Sequence, residues 1–128
     1  MKDQPNFSIN VIPRTQAIIH GDIRNDADGY KYDMEFIRGY LHTYCMQNPT
    51  PNIDLYLNSN DHYVSNNSDG LFGSGAIMRV GYTVMCYGEG NVLETAIGIA
   101  TDLSNKFKHR RMIVSHNSKT YEIINNSI

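Results

Sequence analysis

Apolar residues recur along this chain at two spacings, one typical of strands and the other of helices. Residues 7–12 and 16–23 are rich in apolar and β-branched side chains and are separated by Pro13, which predicts two short strands. Residues 52–57 alternate weakly and predict a third. Residues 112–124 indicate a hairpin that turns at Asn117 and Ser118, so we expect the two chain ends to share one sheet.

Helical spacing occurs in two places. The first predicted helix has an apolar stripe made of Met34, Ile37, Leu41 and Tyr44, with Asp33 as its cap and residues 48–49 as its end. The second begins at the capping box Asn91 and Glu94, and its stripe consists of Leu93, Ala96, Ile97, Ala100, Leu103 and Phe107. Residues 75–85 fit either a helix or a strand. Residues 58–70 are polar and aperiodic, which predicts a long loop of the kind that often binds ligands.

The predicted fold class is α+β, in a single domain of residues 1–128. A small antiparallel sheet from the chain ends would pack with two to three helices from the middle, and an all-α fold is the alternative. A chain of 128 residues can bury a core without disulfides or metals. Cys45 and Cys86 lack metal-ligand spacing and lie in apolar segments, so we expect a reduced, buried pair.

The charge balance limits the partners of the chain. A formal net charge of −2 provides no general attraction for nucleic acid or an anionic membrane, so an anionic ligand must be captured locally. No apolar run reaches membrane-spanning length, and the first residues lack the apolar core of a signal peptide. We therefore expect a soluble cytoplasmic protein, located in the bacterial host cell if the chain is phage-encoded.

The sharpest motif is residues 72–80, which read FGSGAIMRV. Gly73 and Gly75 open a turn ahead of an apolar-periodic segment, and exposed backbone N–H groups at such a turn suit a phosphate. The alternative is a purely structural turn in which the glycines supply positive φ.

This motif resembles the GNGxxMRV signature of the ADP-ribosylglycohydrolases, with Ser74 where the signature has Asn. Residues 87–96, which read YGEGNVLETA, resemble the segment that follows the signature in that family, and the resemblance extends over about residues 32–110. The family's carboxylate motifs, which bind two magnesium ions, have no counterpart here, since the chain has no Asp-Asp pair. The resemblance therefore implies a site that binds ADP-ribose and has no catalytic residue, metal or cofactor.

The predicted function is non-catalytic binding and sequestration of a linear or cyclic ADP-ribose derivative, so the chain is expected not to be an enzyme. The anti-Thoeris sponges, small phage proteins that sequester such signals, are similar in size and in lacking catalytic clusters. The alternatives are an ADP-ribosyl hydrolase with a reduced site and a phage or host protein-interaction module. Because a small chain offers few walls for a large ligand, we expect a homo-oligomer with the pocket near its interface.

The residues expected to bind this ligand supply backbone N–H groups, cationic forks and aromatic faces. They are Phe72, Gly73, Ser74, Gly75, Ala76, Met78, Arg79, Tyr82, Asn91, Phe107, His109, Arg110, Arg111, Asp22 and Arg24. Several have a structural alternative: Asn91 as a helix cap, Phe107 as a core residue, and residues 110–111 as a solvated helix end. An EF-hand interpretation of residues 24–35 conflicts with Arg24, which stands where the first carboxylate ligand belongs. No histidine has a relay partner at a recognisable spacing.

Overall fold

The computed structural model describes residues 6–22, 34–49, 52–64 and 77–127, with the backbone alone at residues 22, 60–64 and 77–80. Within these ranges the chain forms five strands and two helices. In chain order they are β1 (Thr15–Asp22), α1 (Met34–Gln47), β2 (Ile53–Val64), β3 (Ile77–Gly88), α2 (Val92–Phe107), β4 (Arg111–His116) and β5 (Lys119–Ile124). The α+β prediction is confirmed, and the all-α alternative is wrong.

The strands form one antiparallel sheet in the order β2-β3-β1-β4-β5. β1 lies at the centre and pairs with β3 from Thr15↔Gly88 to Asp22↔Gly81. On its other side β1 pairs with β4, for example at Ile19↔Val114, so both ends of the chain do share one sheet. The sheet is larger than predicted, because β2 and β3 from the middle of the chain add a ribbon twelve residues long.

Three local predictions need correction or refinement. Residues 58–64, expected at the start of a long loop, continue β2 because every one of them is paired with β3. Residues 77–85, for which helix and strand were both open, belong to strand β3. Residues 7–12, expected as a strand, have no regular secondary structure and no ladder partner in the described part of the chain, and their side chains are exposed.

Both helices pack on one face of the sheet. Ala17 and Ile19 of β1 are fully buried on this face, as are Val84 and Cys86 of β3, because alternate strand residues point to the same side. The apolar stripe of α2 completes the core, and α1 adds Ile37 and Leu41. Within the described ranges neither helix covers the opposite face of the sheet, which we call the open face.

The predicted start of α2 and the predicted hairpin are both present. Asn91 caps the start of α2, and Lys108 ends it in the left-handed conformation at φ 59°. Asn117 and Ser118 both have positive φ, 49° and 63°, as a type I′ turn requires. These local signals were sufficient because each acts within a few residues.

The two cysteines differ in environment. Cys86 is fully buried on β3, and burial raises the pKa of its thiol to about 12. Cys45 on α1 is exposed, so the predicted buried pair is wrong for this residue. No helix in the described ranges is long and apolar enough to cross a membrane.

Candidate functional site

A polar pocket of about 520 Å³ opens at one end of the sheet, where β1 and β5 begin and β3 and β4 end. We call it the open-face pocket. Its walls include Arg14, Gln16, Ile18, Tyr87, Ser115, His116 and the turn at residues 117–118. The volume lies within the range of small-molecule sites, roughly 300–1,000 Å³. The central antiparallel pairing of β1 brings these separate segments together.

Arg14 forms one wall of the open-face pocket and is held from two sides. Its Nη2 donates to Asp54 Oδ2 and to the carbonyl oxygen of Tyr87, each at 3.0 Å. Its guanidinium carbon lies 4.5 Å from the centroid of the Tyr87 ring, in a cation–π contact. Its Nε is buried with no hydrogen-bond partner among the described residues. A charged donor left without a partner is unfavourable and often marks a position that a ligand or water completes.

His116 lines the pocket with a ring whose tautomer can be inferred. Its Nδ1 lies 2.9 Å from the backbone carbonyl oxygen of Gln16. A carbonyl oxygen can only accept a hydrogen bond, so Nδ1 carries the proton in the neutral ring. Nε2 is then the basic nitrogen, and His116 can act as a proton acceptor.

A second histidine stands beside the pocket, on the open face of the sheet. His20 Nε2 lies 3.2 Å from Ser115 Oγ, and Ser115 itself lines the pocket. Partial burial lowers the pKa of His20, which favours its neutral form. The sequence offered no relay partner for either histidine, but the sheet supplies a hydroxyl for one and a backbone carbonyl for the other.

A second pocket of about 480 Å³ lies on the helix side, between α1, β2 and the first turn of α2. Tyr44, Cys45, Ile53, Leu55 and Thr95 contribute to its walls, and none of its lining residues is charged at neutral pH. Burial is the main cause of the raised pKa of Tyr44. This pocket suits an apolar group better than a charged substrate, because burying an unpaired charge is costly.

The predicted glycine turn, residues 72–76, and Arg24 lie outside the described ranges. Met78 and Arg79 lie near the start of β3, where their backbones pair with Tyr63 and His62. Asp22 ends β1 opposite Gly81. These positions are at the far end of the sheet from the open-face pocket, roughly 24 Å from Thr15 at about 3.4 Å per strand residue.

Of the predicted aromatic residues, Tyr82 and Phe107 lie inside the core, whereas Phe72 lies outside the described ranges. Tyr82, Phe107 and His109 are 1%, 3% and 4% exposed, and the ring centroids of Tyr82 and His109 are 5.8 Å apart. They therefore present almost no surface to a ligand in this structure. The structural alternative proposed for Phe107 accounts for its place, since it also packs edge-on against Tyr40.

The other predicted ligand residues have local roles. Asn91 accepts a hydrogen bond from the backbone N–H of Glu94 at 3.1 Å and donates to the Glu94 carboxylate at 2.8 Å, which is a capping box. Arg111 forms an exposed ion pair with Glu122 across β4 and β5. Arg110 is exposed, and its carbonyl accepts a hydrogen bond from Asn125. Within the described ranges, the predicted ligand residues thus lie in separate parts of the fold.

Sequence reasoning missed Arg14, Tyr87 and Ser115 as site residues. Arg14 and Tyr87 are 73 positions apart, and Ser115 and His20 are 95 apart. The only local signal was the predicted hairpin turn, which marks where one end of the sheet lies. The rest depends on the order of the strands, which short-range patterns do not encode.

Comparison with known proteins identifies two solved structures with the same fold. A phage SAM lyase in complex with S-methyl-5'-thioadenosine superposes with a TM-score of 0.63 at 12% sequence identity, covering 90% of this chain and 92% of that one. A phage SAM lyase in its apo state gives a TM-score of 0.62 at 14% identity, with coverages of 88% and 90%. No family model matches the chain, and no curated protein matches it.

The expectation that the chain is not an enzyme requires correction. It rested on missing carboxylate motifs, but the solved structures that share the fold over about nine-tenths of both chains are those of a lyase. They are not ADP-ribosylglycohydrolases. Among the described residues no cluster of three or more His, Cys, Asp or Glu residues could hold a metal ion.

Proposed function

We propose that this chain is a lyase acting on SAM, S-adenosylmethionine, or a closely related adenosyl sulfonium compound, with a methylthioadenosine as one product. The observation that carries the proposal is the fold shared along almost the full length of both chains with a SAM lyase holding S-methyl-5'-thioadenosine. A shared fold alone does not define a reaction, and this chain's own pocket provides the second line of support.

The open-face pocket supports the proposal through its mixture of groups. Ile18 and the Tyr87 side chain offer apolar surface for the nucleoside, and Gln16 and Ser115 offer hydrogen-bonding groups for its edges. Arg14 supplies a guanidinium for the carboxylate of the amino-acid part. Its Nη2 is already bonded to Asp54 and Tyr87, so Nε, which has no partner among the described residues, is the group that would donate to that carboxylate. The helix-side pocket has no charged lining residue for that carboxylate.

The proposed reaction needs no co-reactant. Cleavage of the bond between sulfur and the amino-acid side chain moves its electron pair onto sulfur, which leaves as a neutral thioether. The remaining fragment either loses a proton to form a double bond or closes a ring with its own carboxylate. His116, with Nε2 as its basic nitrogen, would accept the proton in the first case.

The proposal includes a homo-oligomer with the pocket near its interface. The described residues leave the pocket open toward the helix-free side of the sheet, where water could reach a substrate. A second copy of the chain at this side would exclude water and strengthen the polar contacts to the ligand.

The decisive experiment incubates the purified full chain with SAM and follows the nucleoside products by liquid chromatography and mass spectrometry. We expect SAM to be consumed and methylthioadenosine to accumulate. Parallel samples contain ADP-ribose and cyclic ADP-ribose. Unchanged SAM together with binding or cleavage of an ADP-ribose compound would overturn the proposal and favour the function implied by the sequence resemblance.

Two site variants locate the reaction. His116→Gln should lower kcat by roughly a hundredfold or more if His116 accepts a proton. Arg14→Met should mainly raise KM, by about tenfold or more, because a charged hydrogen bond to the substrate is lost. His42→Gln and Lys106→Met are matched controls on the exposed surfaces of α1 and α2. If both site variants retain control activity while remaining folded, the open-face pocket is not the site.

A further inference from the structure

We propose that residues 6–12, here called the N-terminal arm, add as an extra strand to the β5 edge of a second copy of this chain. This inference is independent of the reaction proposed above, since it concerns association in the absence of substrate. It arises from an apolar segment that has no place in its own sheet and from a sheet edge with matching length and polarity.

The arm exposes an unusual amount of apolar surface. Phe7, Ile9 and Val11 are 71%, 85% and 95% exposed. They alternate with Ser8 and Asn10, so in an extended chain the three apolar side chains lie on one face and the two polar ones on the other. Such alternation is typical of a strand with one buried face, yet the arm has no ladder partner among the described residues.

The connection between the arm and β1 is too short for the arm to pair with either edge of its own sheet. Its last residue, Ile12, is three residues from Thr15, where central strand β1 begins. Three extended residues span at most about 11 Å. A strand added outside β5 or β2 would lie three strand spacings from β1, about 14 Å. A second copy has no such limit.

The β5 edge offers backbone groups in the required pattern. Asn125 N–H donates to the carbonyl of Arg110, which defines the hydrogen-bonded pairs of the hairpin. Alternate residues share this pattern, so Lys119, Tyr121 and Ile123 bond to β4. The N–H and C=O groups of Thr120, Glu122 and Ile124 therefore point to the outer edge, where an added strand can bond to them.

The side chains of the arm and of the β5 edge also match in polarity. Tyr121 and Ile123 are half-buried at the margin of the core, on the helix side of β5. An added arm with Phe7, Ile9 and Val11 on this side would cover them and extend the core. Ser8 and Asn10 would then lie beside Thr120 and Glu122 on the open face. The uncharged seven-residue arm also matches the six residues of β5 in length.

The first test measures the mass of the full chain by analytical ultracentrifugation over a wide concentration range. We expect the natural chain to self-associate and the triple variant Phe7→Asp, Ile9→Asp, Val11→Asp to have a lower mass at the same concentration, because it loses the contact between arm and β5. The control variant Asn6→Asp, Ser8→Asp, Asn10→Asp adds the same charge to the other face of the arm and should still associate. A monomeric natural chain, or equal loss of association in both variants, would overturn the proposal.

The second test examines the acceptor edge. Thr120→Pro removes an outward N–H without removing a bond to β4. This variant should therefore lose association, while urea denaturation should show that it remains folded. In amide hydrogen exchange of the natural chain, Thr120, Glu122 and Ile124 should gain protection as concentration rises, whereas Tyr121 and Ile123 should be protected throughout. Association that survives Thr120→Pro, or outer amides that stay unprotected at high concentration, would contradict pairing at β5.

Discussion

His20 lies on the open face of the sheet, whereas His116, at the end of β4, shares the alternation of the buried Val114. Different partners hold the two rings. Gln16 carbonyl holds Nδ1 of His116, whereas Ser115 Oγ lies beside Nε2 of His20. The first contact determines a tautomer, because a carbonyl cannot donate. The second does not, because a hydroxyl can both donate and accept. His116 is therefore the better-defined proton acceptor. The titration of His20 should change the free energy of unfolding.

His20 should make the folded state less stable in mild acid. Its pKa is lowered by burial from an ordinary value of 6.5, so the unfolded chain binds the proton more readily than the folded chain. Its effect is absent well above pH 6.5, and stability falls as the pH drops through 6.5 toward the lower folded pKa. Urea unfolding at about pH 8 and about pH 5 measures this loss.

The control for this prediction is a pair of glutamine variants. His20→Gln should lose less stability than the natural chain between the two pH values, whereas His42→Gln, changed on the exposed surface of α1, should follow the natural chain. Equal slopes for all three proteins would show that the environment of His20 does not disfavour its protonation.

At the scale of the element, α2 is the part of the fold that local signals specify most completely. Its start at Asn91 and its helical apolar spacing were each readable within a few residues, and both are present. Asn91 was also a predicted ligand residue. In the structure, its side-chain amide already bonds to Glu94 through both of its polar atoms, so the capping role accounts for it.

Replacing Asn91 should weaken the start of α2. Asn91→Ala removes the acceptor for the Glu94 N–H and should lower the free energy of unfolding by about 1 kcal/mol. Asn91→Ser keeps an acceptor and a good cap and should lose much less. Urea denaturation of the two variants measures the difference. Equal destabilisation by the two variants would mean that the hydrogen bond from the Glu94 N–H does not stabilise the start of α2.

At the scale of the whole molecule, α2 joins three strands into one core. Ile99, Ala100 and Leu103 are all fully buried with Ile19 of β1, Val84 of β3 and Val114 of β4. Leu93 is also on the apolar stripe but is only half-buried against this core. The two leucines therefore provide a matched pair for testing how far the core extends along the helix.

Leu103→Ala should lower the free energy of unfolding by about 2–5 kcal/mol, since it removes buried methyl groups and leaves a cavity. Leu93→Ala should cost at most about half as much, because part of that side chain already contacts water. Thermal and urea unfolding of both variants measure these losses. If Leu93→Ala proved the more damaging change, the core would be centred nearer the start of α2 than the structure shows.

Sequence patterns predicted the α+β class, both helices, the terminal hairpin and the shared sheet, but they did not predict the candidate site. Residues 58–64 lack the alternation typical of a strand. They still pair with β3, because that neighbouring strand satisfies the hydrogen-bonding groups of their backbone. Tyr82 and His109 looked like ligand residues because their types bind nucleotides. Their contact with each other inside the core depends on how the end of α2 meets β3, which no local pattern reports.

What the sequence determined by itself is the set of features that short-range interactions decide. The cap of α2, the helical apolar spacing and a two-residue turn act within about four positions, and they are present as the sequence predicts. Only the tertiary structure decided that β1 lies at the centre of the sheet. That order brings Arg14 beside Tyr87 and His20 beside Ser115, and it leaves the N-terminal arm without an edge within reach. The reason is that strand order is set by long-range pairing and common burial, which act between residues far apart in the chain.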